Sequence, residues 1–179
     1  MSFNHIKKYN SFLEIGHYGE RERDEELKSI FNRDIADNPH FIFRGKKIRP
    51  LKNEGQPSMD VLFDHLTRES KFINDKNGKK VKTRKDFDFE RSKRLHWILH
   101  HIQEKSKDMV EVFSHKDRIS GKNVIRTYLY DKEENYIVIL EPQRSKTDYY
   151  LITAYYLKKE MGGPKQIKNK LKRKLPEVY

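Results

Sequence analysis

Cysteine does not occur among the 179 residues, which excludes disulfides and thiolate metal sites. No apolar run approaches the ~20 residues that a membrane helix needs, so a spanning segment is excluded. Residues 1–16 alternate polar and apolar side chains and hold no signal-peptide stretch. These absences together lead to the expectation of a cytoplasmic protein with no membrane contact. There is no P-loop, no Gly-x-Gly-x-x-Gly after a strand and no Gly-x-Ser-x-Gly elbow. The paired Asp/Glu array of two-metal nucleases is missing too, so neither a metal nor another cofactor is expected. His96 and His100 are spaced as in the zinc motif His-Glu-x-x-His, but Trp97 stands where the Glu belongs and no third ligand follows at a matching spacing.

What the chain does hold is charge. Hydrophobic residues make up 35% and charged residues 37%; Lys and Arg total 39 against 27 Asp and Glu, a net of +12. The excess is blockwise. Residues 68–94 carry eleven bases against five acids, and residues 158–179 carry eight against two, while residues 20–38 are acidic. Two basic blocks of this kind suggest a surface that meets a polyanion. The alternative is a solubilising surface and a disordered tail.

Hydrophobic periodicity divides the chain into an N-terminal region (1–57), a core (58–161) and a basic tail (162–179). The acidic first turn and the spacing of Leu27, Ile30 and Phe31 predict a helix over 24–36, stopped by Asn38-Pro39. Residues 41–48 predict a strand or hairpin turning at Gly45, and 50–57 a loop. Ser58 is the expected cap of a helix running to Glu69. Residues 71–85 form an exposed basic loop or hairpin containing Asn77-Gly78. From an Asp88 cap the longest helix is expected to run to about Lys105, with Leu95, Ile98, Leu99 and Ile102 as its buried stripe and Trp97 as a core anchor. The period then becomes two over 109–113, 124–130, 136–140 and 149–156, which predicts about four antiparallel strands. The expected fold is α+β: N-terminal helices packed on an antiparallel sheet of about four strands, with a basic C-terminal tail. In that tail Ile167, Leu171 and Leu175 are four apart, spaced for a helix that forms on contact with a partner.

A metal-free cleavage of RNA needs few groups: a base for the 2′-OH, cations for the phosphate and an acid for the leaving 5′ oxygen. Arg91 and Arg94 share a face near the start of the long helix, where they suit a phosphate or pair with Asp86 and Glu90. Arg126 and Tyr128 share a strand face, as do Thr153 and Tyr155; these four form either a catalytic patch or an ordinary solvated face. His65 is a candidate general acid or base, or a structural helix histidine. Lys79, Lys80, Arg84, Lys85, Lys172 and Arg173, together with Arg126 and Tyr155, are candidates for holding the nucleic acid.

Residues 84–98, RKDFDFERSKRLHWI, followed by RTYLYD at 126–131, YIVILEP at 136–142 and YYLITAYY at 149–156, resemble phage and prophage nucleases of the barnase–EndoU–colicin–RelE-like (BECR) superfamily. The resemblance covers residues 58–179. It implies an α+β fold and a metal-independent endoribonuclease, a toxin or host-takeover factor that cleaves tRNA or mRNA and is met by an antitoxin or immunity protein. It also implies catalytic roles for Arg91, Arg94 and Thr153, with Tyr128 and Arg126 at the polar strand pair. Where the family often has Pro or Asn before the helix Trp, this chain has His96. On this reading Arg94→Ala abolishes activity and leaves the fold intact. A non-catalytic nucleic-acid-binding or virion-associated phage protein is the alternative.

Overall fold

The computed structural model describes residues 2–52, 55, 57–105 and 108–179. The chain is α+β, but the sheet is larger than expected and is mixed. Helix α1 (Glu20–Phe31) starts four residues before the expected boundary because the Glu22 carboxylate accepts the Gly19 N–H at 3.3 Å and so caps the first turn. Its last turn widens into a π-turn, Asn32–Ala36. A short hairpin follows, β1 (Ile42–Phe43) and β2 (Lys46–Pro50), turning at Arg44-Gly45 with φ of 46° and 79°, as a type I′ turn requires. The loop expected over 50–57 lies partly outside the described residues, at 53, 54 and 56.

Helix α2 (Ser58–Thr67) begins with Pro57 at the cap position, so Ser58 is its first residue rather than its cap. It ends at Thr67, where Arg68 turns extended and bridges to Phe87. Between them the basic segment is a two-stranded ribbon, β3 (Lys71–Asn74) and β4 (Lys80–Thr83). The expected long helix is divided. Asp88 does cap it, its Oδ1 accepting the Arg91 N–H at 3.0 Å, but α3 (Phe89–Ser92) and α4 (Trp97–Ile102) are joined by a tight turn. There the amides of Arg94, Leu95 and Trp97 bond three residues back rather than four.

The last four strands are β5 (Val110–Ile119), β6 (Lys122–Asp131), β7 (Tyr136–Pro142) and β8 (Tyr149–Tyr156). They form the expected antiparallel meander. β5 and β6 run longer than their apolar content indicated, closing at Ser120-Gly121 with φ of 49° and 79°. The first hairpin then adds to the free edge of β8, with β2 parallel to it, giving six strands in the order β1-β2-β8-β7-β6-β5.

Both sheet faces are covered. On one, Leu13, Ile15, Leu27, Phe31, Leu66 and Trp97 meet Leu129, Val138, Leu140 and Leu151 in the main core, so residues 1–57 contribute directly to it. On the other, Phe113, Tyr128, Tyr130, Ile137 and Ile139 are covered by α5 (Gly163–Lys172) through Ile167 and Leu171. The tail helix is thus already formed against the sheet and needs no partner. Beyond it the chain crosses to the first face, where the Tyr179 carbonyl accepts from Thr127 Oγ1 at 2.8 Å and Tyr149 Oη at 2.5 Å. No helix among the described residues is long and apolar enough to cross a membrane.

Candidate active site

Strand β8 sets the site through one irregularity. Ile139 on β7 pairs with Thr153, whereas Leu140 pairs with Leu151, so Ile152 is an extra residue. Such a bulge changes which side chains face which way. Before it Tyr149 and Leu151 enter the main core; after it Ala154 does, and Thr153 and Tyr155 turn to the α5 face with Arg126 and Tyr128.

Arg91 reaches this face from α3. Its Nη1 donates to Thr153 Oγ1 at 3.1 Å and to the His65 carbonyl at 2.5 Å, and its guanidinium lies 5.4 Å from the Tyr155 ring centre. Asp88 sits 3.5 Å from Nε, too far for a hydrogen bond, so that buried donor has no hydrogen-bond partner among the described residues. A cleft of about 360 Å³ opens beside it, lined by Ser70, Asp88, Arg91, Tyr155, Lys158 and Gln166 among others. Burial raises the Tyr155 phenol's pKa against the pull of Arg91 and Arg126, placing Tyr155 within the field of both arginines.

Two expected partners are elsewhere. Arg94 does not share the face of Arg91, because the tight turn after α3 rotates it into the main core. Its Nη1 donates to the Glu90 carbonyl and to Glu90 Oε2, both at 2.7 Å, and it is enclosed by Phe12, Trp97 and Tyr156. Tyr128 is on the expected face but only 2% exposed, and its hydroxyl donates to Asp117. It positions a carboxylate and is closed to a phosphate. His65 is half-buried; burial, then the charge of Arg84, holds its pKa below the ordinary value, and its side chain bonds to the Ile152 backbone at the bulge.

A second group of residues was hidden in the sequence. His115 on β5 is the register partner of Arg126 on β6, and the Glu141 carboxylate on β7 lies 3.5 Å from Arg126 Nε. All three are partly exposed on the face that carries Thr153 and Tyr155. Asp117 Oδ1 bonds His115 Nδ1 at 2.7 Å. Burial would raise the Asp117 carboxyl, but bonds from Lys170, Tyr128 and His115 outweigh it and keep it ionised. Arg126 Nε, like that of Arg91, is buried without a hydrogen-bond partner among the described residues. The available signal was the alternation Phe113-x-His115-x-Asp117, which continues the strand period through polar residues.

The candidate nucleic-acid contacts surround this face unevenly. Arg84 is half-buried at the root of the ribbon, its Nη1 donating to the Arg68 carbonyl at 3.2 Å, and Lys79, Lys80 and Lys85 are exposed along or just beyond it. Lys172 and Arg173 are exposed at the end of α5, while Lys170, one turn from Arg173, is the residue that reaches Asp117. No group of three or more His, Asp or Glu among the described residues is placed to hold a metal ion.

The histidines give the fold a pH dependence. Burial is the largest cause holding His65, His96 and His100 below the ordinary value of about 6.5, His100 down to about 4. An unfolded chain takes up these protons near pH 6.5, and the folded chain resists them. Stability is therefore full above pH ~6.5 and falls as the pH drops toward about 4. Thermal melts across this window are expected to show a steadily falling Tm; a flat Tm contradicts the assignment. Asp117, Asp131 and Glu90, held low by their hydrogen bonds against burial, add a further loss in stronger acid.

Compared with protein families, with curated proteins and with solved structures, the chain matches none.

Proposed function

We propose that the protein is a metal-independent endoribonuclease whose centre is the row His115, Arg126 and Glu141, partly exposed on the sheet face that α5 covers elsewhere, completed by Arg91. The observation that carries this reading is the row itself: a carboxylate, a cation and an imidazole on three adjacent strands, in which Arg126, like Arg91, has a buried Nε donor with no hydrogen-bond partner among the described residues. Neighbouring strands lie about 4.8 Å apart, so Glu141 and His115 flank Arg126 from opposite sides.

A phosphodiester bound across the row has its non-bridging oxygens on Arg126 and Arg91. Glu141 takes the proton from the ribose 2′-OH, and that oxygen attacks phosphorus. The P–O5′ bond breaks as protonated His115 gives its Nε2 proton to the leaving oxygen, producing a 2′,3′-cyclic phosphate and a 5′-hydroxyl. Asp117 holds the imidazole through Nδ1 and leaves Nε2 to the substrate; Tyr128 and Lys170 hold Asp117 in turn. Thr153 fixes the Arg91 fork. The resemblance to phage nucleases supports the setting: a toxin or host-takeover factor that cuts tRNA or mRNA, opposed by an antitoxin.

The test is incubation of bulk RNA with the protein in EDTA, followed by end-group analysis. Cyclic phosphate and 5′-hydroxyl ends are expected. Intact RNA overturns the reading in favour of a non-catalytic nucleic-acid binder, and cleavage that needs added Mg²⁺ overturns the metal-independent chemistry.

A further inference from the structure

The β3–β4 ribbon has the chemistry of a grip. Its register places Phe72 opposite Lys82 and Asn74 opposite Lys80 on one face, with Ile73 and Val81 on the other. Phe72 is 69% exposed and has no aromatic or cationic partner among the described residues. Residues 71–85 hold seven bases against one acid.

An isolated two-stranded hairpin is marginal in water. This one is clamped at its root: Glu69 N–H donates to the Asp86 carbonyl at 2.9 Å, Lys71 pairs with Glu69 and Asp86 at 2.8 and 2.9 Å, and Arg84 bonds the Arg68 carbonyl. The root is continuous with α2 and α3, the elements that bring His65 and Arg91 to the sheet face. Glu69 and Ser70 at the foot of β3 line the same cleft as Arg91 and Tyr155, so the ribbon rises from the rim of that cleft. Lysines along the edge discourage pairing with a protein strand, and the charge complements a polyanion. Double-helical RNA hides its bases in a groove too narrow for side chains, whereas a single strand offers base faces to an aromatic ring.

We infer that the ribbon is an arm for single-stranded RNA, with a base stacked on Phe72 and adjacent phosphates on Lys80 and Lys82, leading the strand into the Arg91–Arg126 centre. The inference rests on the ribonuclease reading for what the centre does, but its test does not depend on cleavage. The full chain is titrated by fluorescence anisotropy with a short labelled 2′-O-methyl oligonucleotide, which lacks the attacking hydroxyl, as a single strand and as a duplex.

Phe72→Ala is expected to weaken single-strand binding about tenfold, the size of one base–aromatic stack, with duplex binding unchanged and Phe72→Trp restoring it. Replacing both Lys80 and Lys82 by Ala is expected to lower the slope of log K against log salt by about 1.4. Phe72→Ala that binds the single strand as the wild type does, or that loses both forms equally, overturns the arm. Stack-dependent binding without any RNA cleavage keeps the arm and removes the ribonuclease; cleavage with binding indifferent to Phe72 does the reverse.

Discussion

His115→Ala is expected to lower the rate of RNA cleavage by about 10²- to 10⁴-fold, the usual contribution of a positioned general acid. The side chain has no structural duty that its neighbours cannot carry. Asp117 loses one bond but keeps those from Tyr128 and Lys170, and the backbone pairing of His115 with Arg126 is untouched. The Tm of the variant should therefore stay close to that of the wild type. A substrate whose leaving group needs no proton separates a proton donor from a mere contact. His115→Ala should cleave an activated nucleoside 3′-(nitrophenyl phosphate) nearly as fast as the wild type does, whereas Glu141→Gln should be slow on both substrates. Full activity of His115→Ala on RNA, or an inactive variant that the activated ester does not rescue, moves the acid elsewhere.

Arg94→Ala should behave as a lesion of the fold, where the sequence resemblance leads to the opposite expectation. The guanidinium is the filling of a stack: ring centres of Tyr156, Phe12 and Trp97 lie 4.5, 4.7 and 5.3 Å from it, and its side chain is 7% exposed. Truncation leaves a gap among three aromatic rings and removes a charge-assisted bond. Glu90 is 39% exposed and stays hydrated, which limits the penalty. The balance is a loss of about 2–3 kcal/mol, or a fall in Tm of about 5–10 °C for a chain of this size. Arg91→Ala should do the reverse, cutting cleavage by about a hundredfold with little change in Tm, because the groups it leaves are the partly exposed Thr153 hydroxyl, a carbonyl at a helix end, the Tyr155 ring and the Asp88 carboxylate, which keeps its capping bond to the residue 91 amide. A stable but inactive Arg94→Ala protein would return that residue to the site.

These two arginines also show how far sequence can be read. Their spacing placed them on one helical face, and that inference holds only while the helix continues. The tight turn after Ser92 separates them, and nothing in the run Ser92 to Leu95 breaks helical periodicity. The four late strands were legible because aromatic and β-branched residues alternate there, and the facing of Arg126, Tyr128, Thr153 and Tyr155 followed. β1 and β2 were legible as a hairpin, but their parallel addition to β8 is a long-range pairing with no local mark. The half of β5 that carries His115 and Asp117 gave no apolar strand signal because its side chains are polar, which is also why they suit a site. The continuous apolar run Tyr136 to Leu140 does announce a strand buried on both faces, and with it the need for a second covering layer. Ile167 and Leu171 supply that layer.

The extra residue Ile152 makes the site sensitive to how β8 pairs as well as to its chemistry. If the bulge were straightened and Ile152 took a regular place in the ladder, every side chain after Leu151 would change sides. Thr153 and Tyr155 would be driven toward the main core, while Ala154 and Tyr156 would emerge opposite Arg91. Deleting Ile152 would instead restore regular alternation and leave Thr153 and Tyr155 where they are. A related protein therefore keeps the centre either with the bulge or without the extra residue, and one that keeps the residue in a straight strand can retain the motif Tyr-Leu-Ile-Thr-Ala-Tyr intact and still have no centre at all.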